Sequence, residues 1–435
     1  MTGGESGGWG MSREMHDLVK RLYPVCRSIT GNGVRETLRV LQEYIPLEVH
    51  EVPTGTRVFD WTVPKEWNIR DAWIRDASGN KVVDFNDHNL HVLSYSIPVD
   101  ETIGLNALKQ HLHTLPEQPG LIPYRTSYYR ETWGFCMSHH RFEELRDEAY
   151  HVYIDSSLEP GHLTYGELYL KGESSEEIVV TCHVCHPSLA NDNLSGIVVA
   201  TWLAQSLMNR SNRFSYRFLF IPGTIGSITW LARNEEKLPG IRHVMVLSCV
   251  GDGGNVTWKR TRNGDAEIDR AATHILKTAG DPFEMQPFSP YGYDERQFSS
   301  PGINLDAGCF MRSPWGTFRE YHTSADNPDF VQPESLHDSF TKALAILYLL
   351  DGNRTFINMN PKCEPQLGRR GLYTQTGGNT ASVPDQMAVL WVLNLSDGEN
   401  SLLDIAERSG IPFEKIRHAA EALQKTELLK EYTSP

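Results

Sequence analysis

No part of this chain approaches the roughly 18 to 20 consecutive apolar residues that a bilayer span requires. The opening residues, MTGGESGGWG, lack both the basic n-region and the apolar h-region of a secretory signal, so a cytoplasmic location is the expectation. Cysteine is scarce: seven in 435 residues, an odd number, scattered and partly interleaved with histidine. That pattern suits a reducing compartment better than a disulfide framework. Positive charge is also short, with 41 Lys and Arg against 55 Asp and Glu and a formal net charge of −14. Nucleic-acid affinity comes from clustered cations facing phosphates, so neither nucleic acid nor a membrane surface is the expected partner.

The length exceeds one compact core of usual size and implies two or three domains. Residues 12–44 carry helical spacing interrupted by Thr30-Gly31-Asn32-Gly33, which predicts two helices. From 49 to 129 the character shifts to short β-branched and aromatic runs at 57–59, 71–74, 81–85 and 90–96, with a hairpin turn at 76–80. These runs predict a small inserted β-rich domain. A helical stretch at 138–149 leads to a strand at 150–154. Strands at 177–180, 216–221 and 243–250 then alternate with helices at 194–208, 227–236 and 266–279, and a long apolar helix follows at 336–350. Such alternation is the signature of a mostly parallel sheet flanked by helices.

Beyond residue 360 a Gly-, Pro- and Thr-containing connector runs to Ser382, followed by helical patterns at 385–393, 401–408 and 412–424 and a wing at 426–432. This is the pattern of a winged helix. Its third helix interleaves Lys415, Arg417 and Lys425 with Glu414, Glu421 and Glu427, which favours an intramolecular contact or a homo-oligomer over DNA reading. The expected domains are 12–48 with 130–360, 49–129, and 361–435.

The chemistry concentrates in residues 181–196, TCHVCHPSLANDNLSG, between a strand and a helix. In an open α/β sheet, ligands bind in the crevice at the carboxyl ends of the strands. Cys182-His183-Val184-Cys185-His186 could form a structural zinc knuckle, but no second CxxC or CxxH pair appears elsewhere. Buried structural thiols are a second reading. A hydrolytic metal centre is the third and preferred one, because imidazoles and a carboxylate together suit a metal that polarises a carbonyl. Asp192 stands at the mouth of a helix, where it serves as a ligand or simply as a helix cap. His322, in Glu320-Tyr321-His322-Thr323-Ser324-Ala325-Asp326, precedes the long apolar helix.

In combination, the H-x-C-H-P loop, the D-N-x-S-G helix start, the Gly226-Ser227 pair after a strand and the late Y-H-T-S-A-D resemble the zinc aminopeptidase superfamily. More closely they resemble its aminopeptidase-like members of unknown function, which have an inserted β domain and a C-terminal winged helix. Further matching segments are Arg27-Ser28-Ile29-Thr30-Gly31, Trp133-Gly134-Phe135-Cys136, Tyr293-Asp294-Glu295-Arg296 and Gly368-Arg369-Arg370-Gly371-Leu372-Tyr373, so the likeness covers nearly the whole chain after Met11. It implies Asp192 and His322 as metal ligands with His183 or His186, zinc as the metal, and Asp252 as a further ligand or a group behind the ligands. Asp294 and Glu295 are implied to orient ligands or bind a substrate amine, and Tyr293 and Arg296 to contact substrate. The implied reaction is hydrolysis of an amide next to a free amine, in a small-molecule or short peptide-like substrate.

The chain departs from that pattern where the relatives read P-E-T-I-G-S and this sequence reads Pro222-Gly223-Thr224-Ile225-Gly226-Ser227. Glycine supplies neither a general base nor a ligand. Ser248 or Cys249 stands where a second metal would find an aspartate, so a single ion is expected. On this reading simple aminoacyl amides are poor substrates, and Gly223→Glu raises activity. The alternative is a non-catalytic ligand sensor or scaffold that uses its winged helix.

Overall fold

The computed structural model describes residues 4–372 and 385–432, with side chains from Gly10 onward. Tyr373 and the rest of the expected connector to Ser382 lie outside the described residues. The chain divides into two units, Met1–Gly264 with Pro282–Thr341, and Asp265–Asp281 with Lys342–Pro435.

The first unit is built on an eight-stranded sheet. In spatial order its strands are Glu48–Pro53, His162–Leu170, Ser215–Ile221, Glu177–His183, Ile241–Leu247, Ala307–Met311, Val256–Lys259 and Phe283–Gln286. The four strands from Ser215–Ile221 to Ala307–Met311 run parallel. Antiparallel neighbours join on both flanks. The α/β class expected from the sequence is therefore present, with a sheet that is parallel at its centre and mixed overall. Glu177–His183 is buried at all seven positions, which explains why it reads EIVVTCH without alternation: a parallel strand is covered on both faces. Its one charged residue, Glu177, is met by Arg217 of the adjacent strand at 2.7 and 2.8 Å. The helix Gly196–Met208 is apolar nearly all round and correspondingly buried.

Glu177–His183 is flanked on one side by Ser215–Ile221 and on the other by Ile241–Leu247. The chain after His183 therefore leaves the sheet at a switch point, where a crevice opens at the carboxyl ends.

A four-stranded antiparallel sheet stands in the same unit, in the order Lys81–Asp84, Glu66–Arg75, Ala149–Glu159, Val99–Gly104. Its hairpin turns where the sequence predicts, with Asp76 Oδ1 accepting the Asn80 N–H at 2.8 Å and Gly79 at φ 85°. Membership crosses the expected boundaries, however. Residues 49–53 belong to an edge strand of the large sheet, and the small sheet takes its central strand Ala149–Glu159 from beyond residue 129. Two local expectations fail. Residues 90–96 form a short 3-10 turn, Asn89–His91, and isolated bridges from Val92 and Ser94 rather than a strand. The helix at 138–149 is only His139–Glu143, because the chain from Ala149 is claimed by the small sheet.

The second unit holds a three-stranded sheet, in the order Asp397–Ser401, Thr355–Asn358, Leu429–Glu431, and the helices Gln386–Leu395, Leu402–Ser409 and Phe413–Lys425. Ser401 and Asp404 form a reciprocal capping box, and Gly410 ends the middle helix at φ 68°. Pro412 sits one position earlier than expected, as the cap of the third helix. No helix among the described residues is long and apolar enough to cross a membrane.

Candidate metal centre

The stretch between the strand end at His183 and the helix start at Gly196 is irregular. Asp192 (φ −110°, ψ 76°) and Asn193 (φ −147°, ψ 35°) are non-helical, and Asp192 caps nothing. The backbone is instead held from outside. Asp326 Oδ1 and Oδ2 accept the N–H groups of Asn191 and Asp192 at 2.6 and 3.0 Å, and its carbonyl accepts that of Ala190 at 3.0 Å. Asn193 donates to the Leu247 carbonyl at 2.9 Å and accepts the Cys249 N–H at 3.1 Å. These bonds tie the loop to the carboxyl end of the neighbouring strand, and the Asp192 carboxylate is left free to turn inward.

Three imidazoles converge on that carboxylate. His183 Nε2 lies 2.9 Å from Oδ1, while His322 Nε2 and His186 Nε2 lie 2.9 and 3.8 Å from Oδ2. His183, His186 and Asp192 offer ligand atoms within 4.8 Å of one another. Both candidate histidines of the loop thus face the same carboxylate. Their other ring nitrogens are occupied: His183 Nδ1 is 3.3 Å from the Asn193 amide, and His186 Nδ1 is 3.3 Å from Cys185 Sγ. The far partner is fixed in turn, since the Tyr124 N–H donates to the His322 carbonyl at 2.8 Å and the Ser324 N–H to that of Ile122 at 2.9 Å. His322 adopts φ 55°, an unfavourable region for a side chain larger than glycine, held here by those bonds.

Burial alone would raise the Asp192 carboxyl, but His186, His183 and His322 outweigh it and hold the group well below the usual carboxylate range. Burial keeps the His186 imidazole well below its ordinary value despite Asp192, so it is neutral and its lone pair is available. Two ligand atoms on one tetrahedral zinc lie about 3.3 Å apart, given bond lengths of about 2.0–2.1 Å. The imidazole-to-carboxylate separations, 2.9–3.8 Å, bracket that value. Imidazole nitrogens around an ionised carboxylate, with no Lys or Arg on it among the described residues, fit a divalent cation.

The other expected site residues are distributed differently. Asp294 is buried behind His183, with Oδ1 accepting the Ser227 hydroxyl at 2.8 Å and Oδ2 unpartnered; burial pushes it up to about 6. Glu295 is fully buried against Lys259 at 2.7 Å, and its other oxygen accepts the Tyr293 N–H at 3.0 Å, so it holds the Tyr293 turn. Arg296 is exposed and lies outside the cavity described below. Asp252 accepts from Asn191, Ser313 and Gly254 and is spent on shaping loops. Ser248 accepts the Trp315 indole N–H at 2.9 Å, and Cys249 is a buried thiol pushed well up by burial. Cys185 is likewise neutral, pushed up to about 12 by burial.

Gly223 has a consequence that sequence alone hides. A Cβ built there would lie 1.9 Å from Tyr293 Cε1 and 2.6 Å from Cζ. The Tyr293 ring occupies the space of the missing side chain, and its hydroxyl sits 3.3 Å from Cys185 Sγ and donates to the Gly223 carbonyl at 3.2 Å. The expectation that Gly223→Glu simply restores a carboxylate is corrected: the ring must leave first.

Above the imidazoles lies a cavity of about 390 Å³, lined by His186, His322, Gly223 and Tyr293 and by a group that the sequence reading missed: Trp61, Tyr124, Arg125, Tyr128 and Tyr129. The available signal was the Tyr124-Arg125-Thr126-Ser127-Tyr128-Tyr129 run, dense in aromatics yet outside any helix or strand.

Residues 16–353 match the model of a domain of unknown function, DUF4910, and residues 354–431 that of a winged helix-turn-helix. The chain is 54% identical over 417 residues, 96% of each protein, to a protein of Clostridium acetobutylicum whose name assigns it provisionally to polysaccharide biosynthesis and gives it an aminopeptidase-like domain. It superposes on a crystal structure from the same organism, provisionally named a peptidase, with a TM-score of 0.93 and 52% identity, covering 98% of each chain. At the level of fold alone it is similar to BSAP, a zinc aminopeptidase from Bacillus subtilis, with a TM-score of 0.58 and 12% identity over 78% of this chain and 94% of that one. An aminopeptidase-like fold joined to a winged helix places this chain in the DUF4910 family, to which it belongs.

Proposed function

We propose that the chain is a metal-dependent, aminopeptidase-like hydrolase that cleaves an amide bond in a small-molecule or short peptide-like substrate. The observation that carries this reading is the convergence of His183, His186 and His322 on the buried Asp192 at the foot of an aromatic cavity. These four side chains would hold one zinc ion. Gly223, Ser248 and Cys249 offer no free carboxylate for a second. When bound, zinc supplies Lewis-acid polarisation of a carbonyl and acidification of water.

The remaining contributions belong to the chain. Asp192 stays ionised and His186 neutral without metal, so these two donors bind without first losing a proton. Cys185 and Asn193 contact the Nδ1 edges of His186 and His183, which leaves both Nε2 atoms turned toward Asp192. Tyr293, held by Glu295 through its backbone, and Tyr124 wall the site and limit water around a bound amide. The name of the C. acetobutylicum relative favours a specialised substrate over general peptide breakdown. The second reading, a binding protein without turnover, is favoured by one observation: a tyrosine ring fills the place of the expected base.

Elemental analysis of the purified full chain, with an amide-hydrolysis screen before and after chelation, tests the proposal. About one equivalent of zinc and a chelator-sensitive activity lost in His322→Ala are expected. Activity indifferent to chelation and to His322→Ala would refute metal dependence at this site, and no activity on any amide would remove the hydrolase reading.

A further inference from the structure

The cavity lining is electrostatically one-sided. It carries the cation Arg125 and, among the described residues, no aspartate or glutamate. Asp192, Asp294 and Glu295 are at most 1% exposed and do not reach it. Arg125 is exposed and has no carboxylate partner among the described residues, and the next acid on its loop, Glu131, is paired with Lys65 at 2.6 Å. A substrate ammonium entering here would meet a guanidinium and no counter-charge, whereas a carboxylate or phosphate would find a planar donor fork.

Beside Arg125, Trp61 and Tyr129 stand 47% and 52% exposed with ring centroids 5.5 Å apart, and both line the cavity. Tyr128 between them in sequence is held at φ 35°. Large aromatics kept open at a cavity mouth suit a ring-bearing ligand.

We propose that the substrate is an anionic, ring-bearing amide whose acidic group docks on Arg125 and whose ring lies against Trp61 and Tyr129, rather than an amide with a free amine. The proposal rests on the reading of this cavity as the substrate site. It reverses the charge expected from the family resemblance, and the physical reason is that no carboxylate lines the cavity among the described residues.

The test is equilibrium binding of three probes to the zinc-loaded full chain by calorimetry: N-acetyl-L-phenylalanine (anion), N-acetyl-L-phenylalaninamide (neutral) and L-phenylalaninamide (cation). The anion should bind at least about tenfold more tightly than the cation, as expected for a charge-assisted bond. Arg125→Gln should weaken the anion by about tenfold and leave the neutral amide unchanged; Arg125→Glu should reverse the order. Trp61→Ala should weaken the anion and the neutral amide together. Phenyl phosphate, in a parallel arm, tells a phosphate preference from a carboxylate one. Tighter binding of the cation, no anion binding at about 10 mM (a free energy near the millimolar limit), or indifference to Arg125→Gln overturns the proposal. Anion binding without turnover of any amide keeps the anionic, ring-bearing class as that of the bound ligand and removes the hydrolase reading. Chelator-sensitive turnover of aminoacyl amides does the reverse.

Discussion

Gly223→Ala is the most informative small change in this protein, because one methyl group tests the packing at the centre of the site. The added Cβ would sit 1.9 Å from Tyr293 Cε1, with Cζ at 2.6 Å and the hydroxyl at 2.8 Å, so the ring must move as a body and break its contacts to Cys185 and the Gly223 carbonyl. Overpacking of this kind costs about 1–3 kcal/mol, and loss of a hydroxyl hydrogen bond adds about 1 kcal/mol. Tyr293→Ala alone removes a partly buried ring and should cost about 3 kcal/mol. In the double variant the methyl group has nothing to strike, so its cost should fall short of the sum by about 2–4 kcal/mol, the whole cost of Gly223→Ala. Urea unfolding of the four proteins, followed by tryptophan fluorescence, measures this cycle. A Gly223→Ala protein as stable as wild type, or additivity within about 0.3 kcal/mol, would show that the ring does not depend on the glycine. The same argument predicts that Gly223→Glu gains no activity unless Tyr293 is made smaller.

Asp192→Asn and His322→Ala should each lose bound metal while keeping the wild-type circular dichroism; unchanged metal content in both refutes the ligand assignment. In metal-free protein, burial raises Asp294 from its ordinary value to about 6, so the native state binds more protons than the unfolded chain between about pH 4 and 6. Stability from this group is present below that window and falls as pH rises through it, by about 3 kcal/mol, and Asp294→Asn should flatten that part of the profile. An identical slope in wild type and variant would contradict the burial argument. The winged helix should not bind duplex DNA, since Arg417 on its third helix is paired with Glu414 at 2.7 Å and with Glu421. Fluorescence anisotropy should detect no complex at physiological salt, and a nanomolar, salt-sensitive complex would refute this.

Much of the fold was legible because it depends on local pattern. The unbroken apolar run at 178–180 is what a doubly covered parallel strand demands, and the spacing at 401–424 with its caps is what two short helices demand. Residue types alone also pointed to the His183, His186 and Asp192 loop as a metal site, and the family resemblance added His322. Sequence could not bring them together: His322 lies 130 residues from Asp192 and reaches it because its turn is pinned to Ile122 and Tyr124. The strand lost at 90–96, and the strand Ala149–Glu159 joining the small sheet, turn on pairings between distant segments that no local window contains. Asp294 and Glu295 read as functional carboxylates, and only tertiary burial turned them inward, toward Ser227 and Lys259. Gly223 read as a lost carboxylate, until packing showed the Tyr293 ring in the space of the missing side chain. Residue types and local periodicity are properties of the chain, but the charge of a cavity wall belongs to whichever side chains the fold leaves facing it, and here those are Arg125 and aromatic rings.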